Sequence, residues 1–268
     1  MDIRFSALTI AGYAVSGVIM MLIPIAVLII WHKRTHAKLK PTLVGAIIFP
    51  VFALALKALP AYPLYFGNNA ISQKINAAPW LYYLIAGLLA GLFEETGRFI
   101  AFRYLLKKEP SRRTAISYGI GHGGIEALYF GWTTLSMIIL ALLINSGRTD
   151  ELTKDIPAEM LPQTMEKLKG YAEITFGKSM LGICERISAM MMQTGLSILV
   201  FKAVRDKKSV WLYPLAMLIH AAIDSTCIFY DSCPIVFEAG FMLSAAAALL
   251  IAIRLVYNKM PEEKEAIQ

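Results

Sequence analysis

Long apolar runs constrain this chain more than any other feature. Stretches of about twenty or more mainly apolar residues lie near 6–31, 41–66, 80–106, 114–145, 177–204, 209–230 and 234–257. A helix needs about 20 residues to cross the hydrocarbon core of a bilayer, and lipid offers no partner for an open backbone N–H or C=O. Such runs must therefore close their own hydrogen bonds as helices. The expectation is an all-α, polytopic membrane helix bundle of about seven transmembrane helices. Pro41, Pro79, Pro110 and Pro234 fall near span ends. Composition agrees: 57% of the residues are hydrophobic and 17% charged, against about 25% charged in soluble domains.

The charges collect between the runs, so the net charge of +7 reads as a topology signal. No glycine-rich phosphate loop or basic-aromatic interleaving supports a nucleic-acid partner. HKRTHAKLK at 32–40, KKEPSRR at 107–113 and RDKK at 205–208 form one set of basic connections. The links at 67–78, 146–176 and 231–233 form the other set. Basic loops stay in the cytoplasm, which predicts the N-terminus outside and the C-terminus inside. Within the long link, 157–174 reads either as an amphipathic surface helix or as a solvated loop. Cys184, Cys227 and Cys233 make no paired framework and read as small packing residues. The first span is too long for a signal-peptide core and reads as a retained helix. Residues 1–268 read as a single domain.

Ionisable residues within spans are costly and point to a protein interior or an aqueous cavity. Here they include Glu94, Glu95 and Arg98 on span three and His122 and Glu126 on span four. Span five carries Glu185 and Arg186; span six carries His220 and Asp224. At about 1.5 Å per residue, Glu94, His122 and His220 fall between about 12 and 18 Å from the cytoplasmic edge. Glu185 and Arg186 lie outside that layer and read as structural. His122 with Glu126, and His220 with Asp224, are four apart and share a helix face. Glu94 and Glu95 point about 100° apart, so one can face a site while the other meets Arg98. Glycines at 119, 121, 123 and 124 remove bulk around His122, letting helices or a substrate backbone approach.

EETGR at 94–98, YGIGH at 118–122 and HAAID at 220–224 resemble, in order, the motifs of the CPBP intramembrane proteases. These are relatives of the CAAX prenyl endopeptidase, and within them the chain resembles the YhfC-like membrane peptidases. The likeness covers about residues 80–230. It departs from the family pattern in three ways: one residue fewer before Arg98, Tyr118 in place of phenylalanine, and Asp224 where many members carry asparagine. Glu126 lies outside the broad motif. The resemblance implies that Glu94 and His122 activate water, that His220 and Asp224 complete the site, and that Glu95, with Arg98, supports it. It also implies a bacterial cytoplasmic membrane and a membrane-associated peptide or protein as substrate.

A carboxylate and two imidazoles (Glu94, His122 and His220) suit zinc with a position left open for water. The same groups also suit a metal-free, glutamate-type protease. Two other classes compete with the endopeptidase. A proton- or cation-coupled transporter would use the buried Glu and His residues as carriers, but should show inverted repeats, and none is visible. A non-catalytic membrane scaffold would tolerate loss of Glu94 or His122.

Overall fold

The computed structural model describes residues 3–158, 160–260 and 262, which include helices and no strand. The helices are α1 (Ala7–Thr35), α2 (Leu39–Phe49), α3 (Lys57–Tyr65), α4 (Ala70–Ala77), α5 (Pro79–Ile100) and α6 (Arg113–Asn145). They continue as α7 (Thr149–Thr153), α8 (Leu161–Ala172), α9 (Phe176–Arg205), α10 (Leu212–Ser225) and α11 (Pro234–Leu255). Among the described residues, six helical stretches are long and apolar enough to cross a membrane. A seventh arises if the bent pair α4 and α5 counts as one span. Each expected run coincides with a helix to within a few residues.

Two of these helical paths change pitch. Pro50–Leu56 is π-helical and joins α2 to α3, so that 39–65 is one continuous helical path. Pro50 carries no N–H and its ring crowds the carbonyl four residues back, which breaks the α ladder at that point. Ala101–Leu105 at the end of α5 is also π-helical, closed by a bond from Leu106 N–H to the Ala101 carbonyl at 2.8 Å.

The link at 67–78 is not a plain connection. Asn69 caps α4, accepting from the Ile71 and Ser72 backbone amides at 2.9 Å each, while the Ser72 hydroxyl faces the Asn69 amide. This reciprocal cap satisfies the first amides of a helix only eight residues long. The break at Ala78, just before Pro79, turns the chain by 109° into α5.

Two compact units divide the chain. The smaller comprises the N-terminal segment to Ile23 and Ala127–Arg186. Its core joins Phe5, Tyr13, Ala141, Ile144 and Leu168. Leu168 comes from α8, so Leu161–Ala172 within the 157–174 stretch takes the helical alternative; Glu159 lies outside the described residues. Glu185 and Arg186 pair with each other there, and the Arg186 guanidinium stacks 4.0 Å from the Phe130 ring centroid. The larger unit comprises Pro24–Glu126 and Ile187 onward. Phe102, Tyr118, Leu196 and Phe201 anchor its core. Of the three cysteines, Cys184 is half-buried, whereas Cys227 and Cys233 are exposed around the 3-10 turn Thr226–Ser232.

Glycines set the helix spacing in the larger unit. Side chains added at Gly87 and Gly91 of α5 would overlap the Ala221 and Met217 carbonyls of α10. This small-xxx-small pattern, GLLAG at 87–91, lets α5 lie directly along α10. On α6, Gly121 meets the Thr42 backbone of α2, while Gly119 and Gly123 meet Thr194 and Met190 of α9. The space beside the glycines around His122 is thus filled by neighbouring helices, which hold this part of α6 against α2 and α9.

Candidate metal and catalytic centre

One turn beyond Gly91, α5 presents its paired glutamates. Glu94 is 5% exposed, while Glu95, Arg98 and His122 are wholly buried. Their proximity follows from the glycine contacts: α5 against α10 brings His220 to the glutamates, and α6 between α2 and α9 brings His122 across from Glu94.

Glu94 Oε2 is the hub. It lies 3.2 Å from His122 Nε2, 3.1 Å from Gln193 Nε2 and 3.8 Å from His220 Nε2. Its other oxygen lies 3.7 Å from the Lys57 ammonium. Glu95 turns the other way, as the spacing predicts. Arg98 Nη1 donates to both of its carboxylate oxygens at 2.6 Å, and Arg98 Nη2 donates to Gln193 Oε1. His220 Nδ1 sits 2.8 Å from Glu95 Oε1, so Glu95 orients this ring. Asp224, four residues along α10, approaches His220 Nε2 only to 3.7 Å. Asp224 is also the most open member of the group, with about a third of its side chain exposed (36%).

Glu126 enters through Gln193, whose Nε2 donates to Glu126 Oε2 at 3.1 Å. Ligand atoms of Glu94, His122 and Glu126 all lie within 4.8 Å of one another. Donors about 2.0–2.2 Å from a tetrahedral zinc stand about 3.3–3.6 Å apart, so modest side-chain rotation would bring this trio around an ion. His220 adjoins the trio through Glu94 without belonging to it. Phe49 and Tyr118 hold the His122 ring, with centroids 5.3 and 5.9 Å away. His122 Nδ1 is buried and makes no hydrogen bond among the described residues.

The sequence expectations therefore meet in one place, with Glu94, Glu95, Arg98, His122, Glu126, His220 and Asp224 all within one connected polar cluster. Two members escaped the sequence reading. Lys57 is an ionisable residue inside the second apolar run, and the rule that singled out the others also selects it. Gln193 is uncharged and sits among Met190, Met191 and Met192; only its spacing on α9, facing α6, marks it.

Residues 19–248 match the family model described as YhfC intramembrane metalloprotease. The chain belongs to the YhfC intramembrane metalloprotease family. It is 35% identical over 243 residues to an uncharacterized membrane protein, YhfC of Bacillus subtilis (strain 168), covering 89% of this chain and 88% of the relative. No solved structure matches significantly. A membrane location follows from the family and from the apolar helices, and the family description implies a metal.

Proposed function

We propose that this YhfC-family chain hydrolyses a peptide bond of a membrane-associated protein or peptide, using the cluster around Glu94. The observation that carries the reading is the Glu94 carboxylate, buried and within reach of two imidazoles from different helices. Peptide hydrolysis requires a base for water and donors for the tetrahedral oxyanion. Glu94 is the base: Oε2 would accept the proton of a water held beside it by His122 and His220. Glu95 holds His220 by Nδ1, which leaves Nε2 facing Glu94 and Asp224, on the side where a scissile carbonyl would enter. Arg98 binds Glu95 and Gln193 together and so fixes both carboxylates. It is a positioning residue.

Glu94, His122 and Glu126, with His220 beside them, suit zinc or another divalent ion that accepts carboxylate and imidazole ligands. Bound there, the ion would act as a Lewis acid on water and carbonyl oxygen. Asp224 and Lys57 form the accessible edge of the cluster, and substrate enters past them. The same donor geometry without an ion would make a glutamate-type protease.

The test compares membrane-protein N-termini in cells making the wild-type chain or Glu94→Gln, with protein levels and membrane insertion monitored. Neo-N-termini dependent on the wild type should fall by about 10²–10⁴-fold in rate with Glu94→Gln and with His220→Ala, the range typical of lost acid–base catalysis. Identical cleavage products in wild type and Glu94→Gln would overturn the scheme. Purified protein should hold about one divalent ion per chain, lost in His122→Ala with chain integrity intact.

A further inference from the structure

On the face of α10 away from Glu95, helices α9, α10 and α11 enclose a cavity of about 570 Å³. Its walls are almost wholly aliphatic: Leu196 and Leu199 on α9, Leu215 and Ile219 on α10, Ala248 and Ile251 on α11. One end is polar. Lys202, Ser209, Trp211 and Lys259 gather there, where α9 ends and α10 begins. Ala245 and Ile223 line the opposite end. From Ala245 to Leu255 the wall spans about 15 Å, half of a hydrocarbon core of about 30 Å.

We propose that this groove is a binding site for one anionic phospholipid, with an acyl chain along α10 and the phosphate at the lysines. The length matches one leaflet, and the sign and position of the charge match a headgroup. Basic pockets between transmembrane helices are a known mode of anionic lipid recognition. Lys202 gives one contact to Asp206 at 3.0 Å and keeps further N–H donors for phosphate. Lys259 is exposed. Trp211, 58% exposed at the same level, has the amphipathic ring that settles at a headgroup interface. A neutral lipid would fill the aliphatic wall and leave the lysines unused.

Occupancy would also stiffen α10. Ile219 lines the groove, while its neighbour His220 faces Glu95 on the other side of the same helix. The lipid and the polar cluster thus share one wall.

Native mass spectrometry of the full-length protein, titrated with phosphatidylglycerol or phosphatidylcholine, tests the site. Phosphatidylglycerol should be retained at one per chain with a preference of about tenfold or more over phosphatidylcholine, the scale expected of two lysines. Lys259→Gln should weaken that preference, and Lys202→Gln with Lys259→Gln should abolish it. Ala248→Phe should reduce retention of both lipids by filling the groove; Ile251→Trp is the second blocking variant if Ala248→Phe does not fold. Equal retention of the two lipids by the wild type overturns the proposal, as does a preference that survives the double lysine variant. Stronger retention of a diacylated peptide with a neutral head than of phosphatidylglycerol overturns it too, assigning the groove to a substrate anchor. None of these readouts depends on proteolysis.

Discussion

Arg98 bears the heaviest structural load of any single side chain in the cluster. It is fully buried, and its guanidinium holds Glu95 and Gln193, which in turn hold His220 and Glu94. Removing one partner of a buried pair costs about 3–5 kcal/mol because the other charge stays behind. Arg98→Ala should therefore lower the melting temperature and expression, whereas Glu94→Gln, an isosteric change, should leave both near wild type. Circular-dichroism melts on the two variants check this; a wild-type melt for Arg98→Ala would show that Glu95 needs no counter-charge. Glu94, His122 and His220 were legible in the sequence because a charged or imidazole side chain in an apolar run has few tolerable positions. The partner of each was less so. Asp224 stands one turn from His220, yet the hydrogen bond to His220 comes from Glu95 on another helix, which depends on packing that no i,i+4 spacing encodes.

At the level of helices, small residues decide who touches whom. Gly91 and Gly121 each sit against backbone of a neighbouring helix, so a larger residue must push the pair apart. Gly121→Val should separate α6 from α2 and carry His122 away from Glu94, reducing both thermal stability and metal content. Gly170→Val should do neither, since nothing approaches that glycine on α8. Parallel melts and metal analysis of the two variants make the comparison. Span ends were readable from apolar length, whereas the capped helix α4 was not, because its eight residues are too few and too polar to register as an apolar run. Asn69 with Ser72 was the available signal. The α9–α10 junction carries its own device. Asp206 accepts from Ser209 and Lys202, which hold its carboxyl down at about 2 from an ordinary 3.8. A carboxylate so lowered contributes fully above pH 3.8 and loses its effect as pH falls through about 2. Asp206→Asn should thus shift the melt at pH 7 and leave little difference at pH 2.

For the molecule as a whole, the basic connections motivate an orientation that we propose as N-terminus outside and C-terminus in the cytoplasm. Reporter fusions after Lys108 and Lys208 should both be cytoplasmic, and one at Asp150 external. Opposite sides for Lys108 and Lys208 would refute the arrangement. The sharp turn at Ala78 bears on this directly, because it governs parity. If α4 and α5 together traverse the bilayer, the crossings are odd in number and the two ends of the chain face different compartments. If the pair dips in and returns, the number is even and both ends share a compartment. The side on which the polar cluster opens would then follow from which strand of chain, before or after the turn, meets water first. Substituting Pro79 by alanine relaxes the restriction on Ala78 and so probes which count the fold requires.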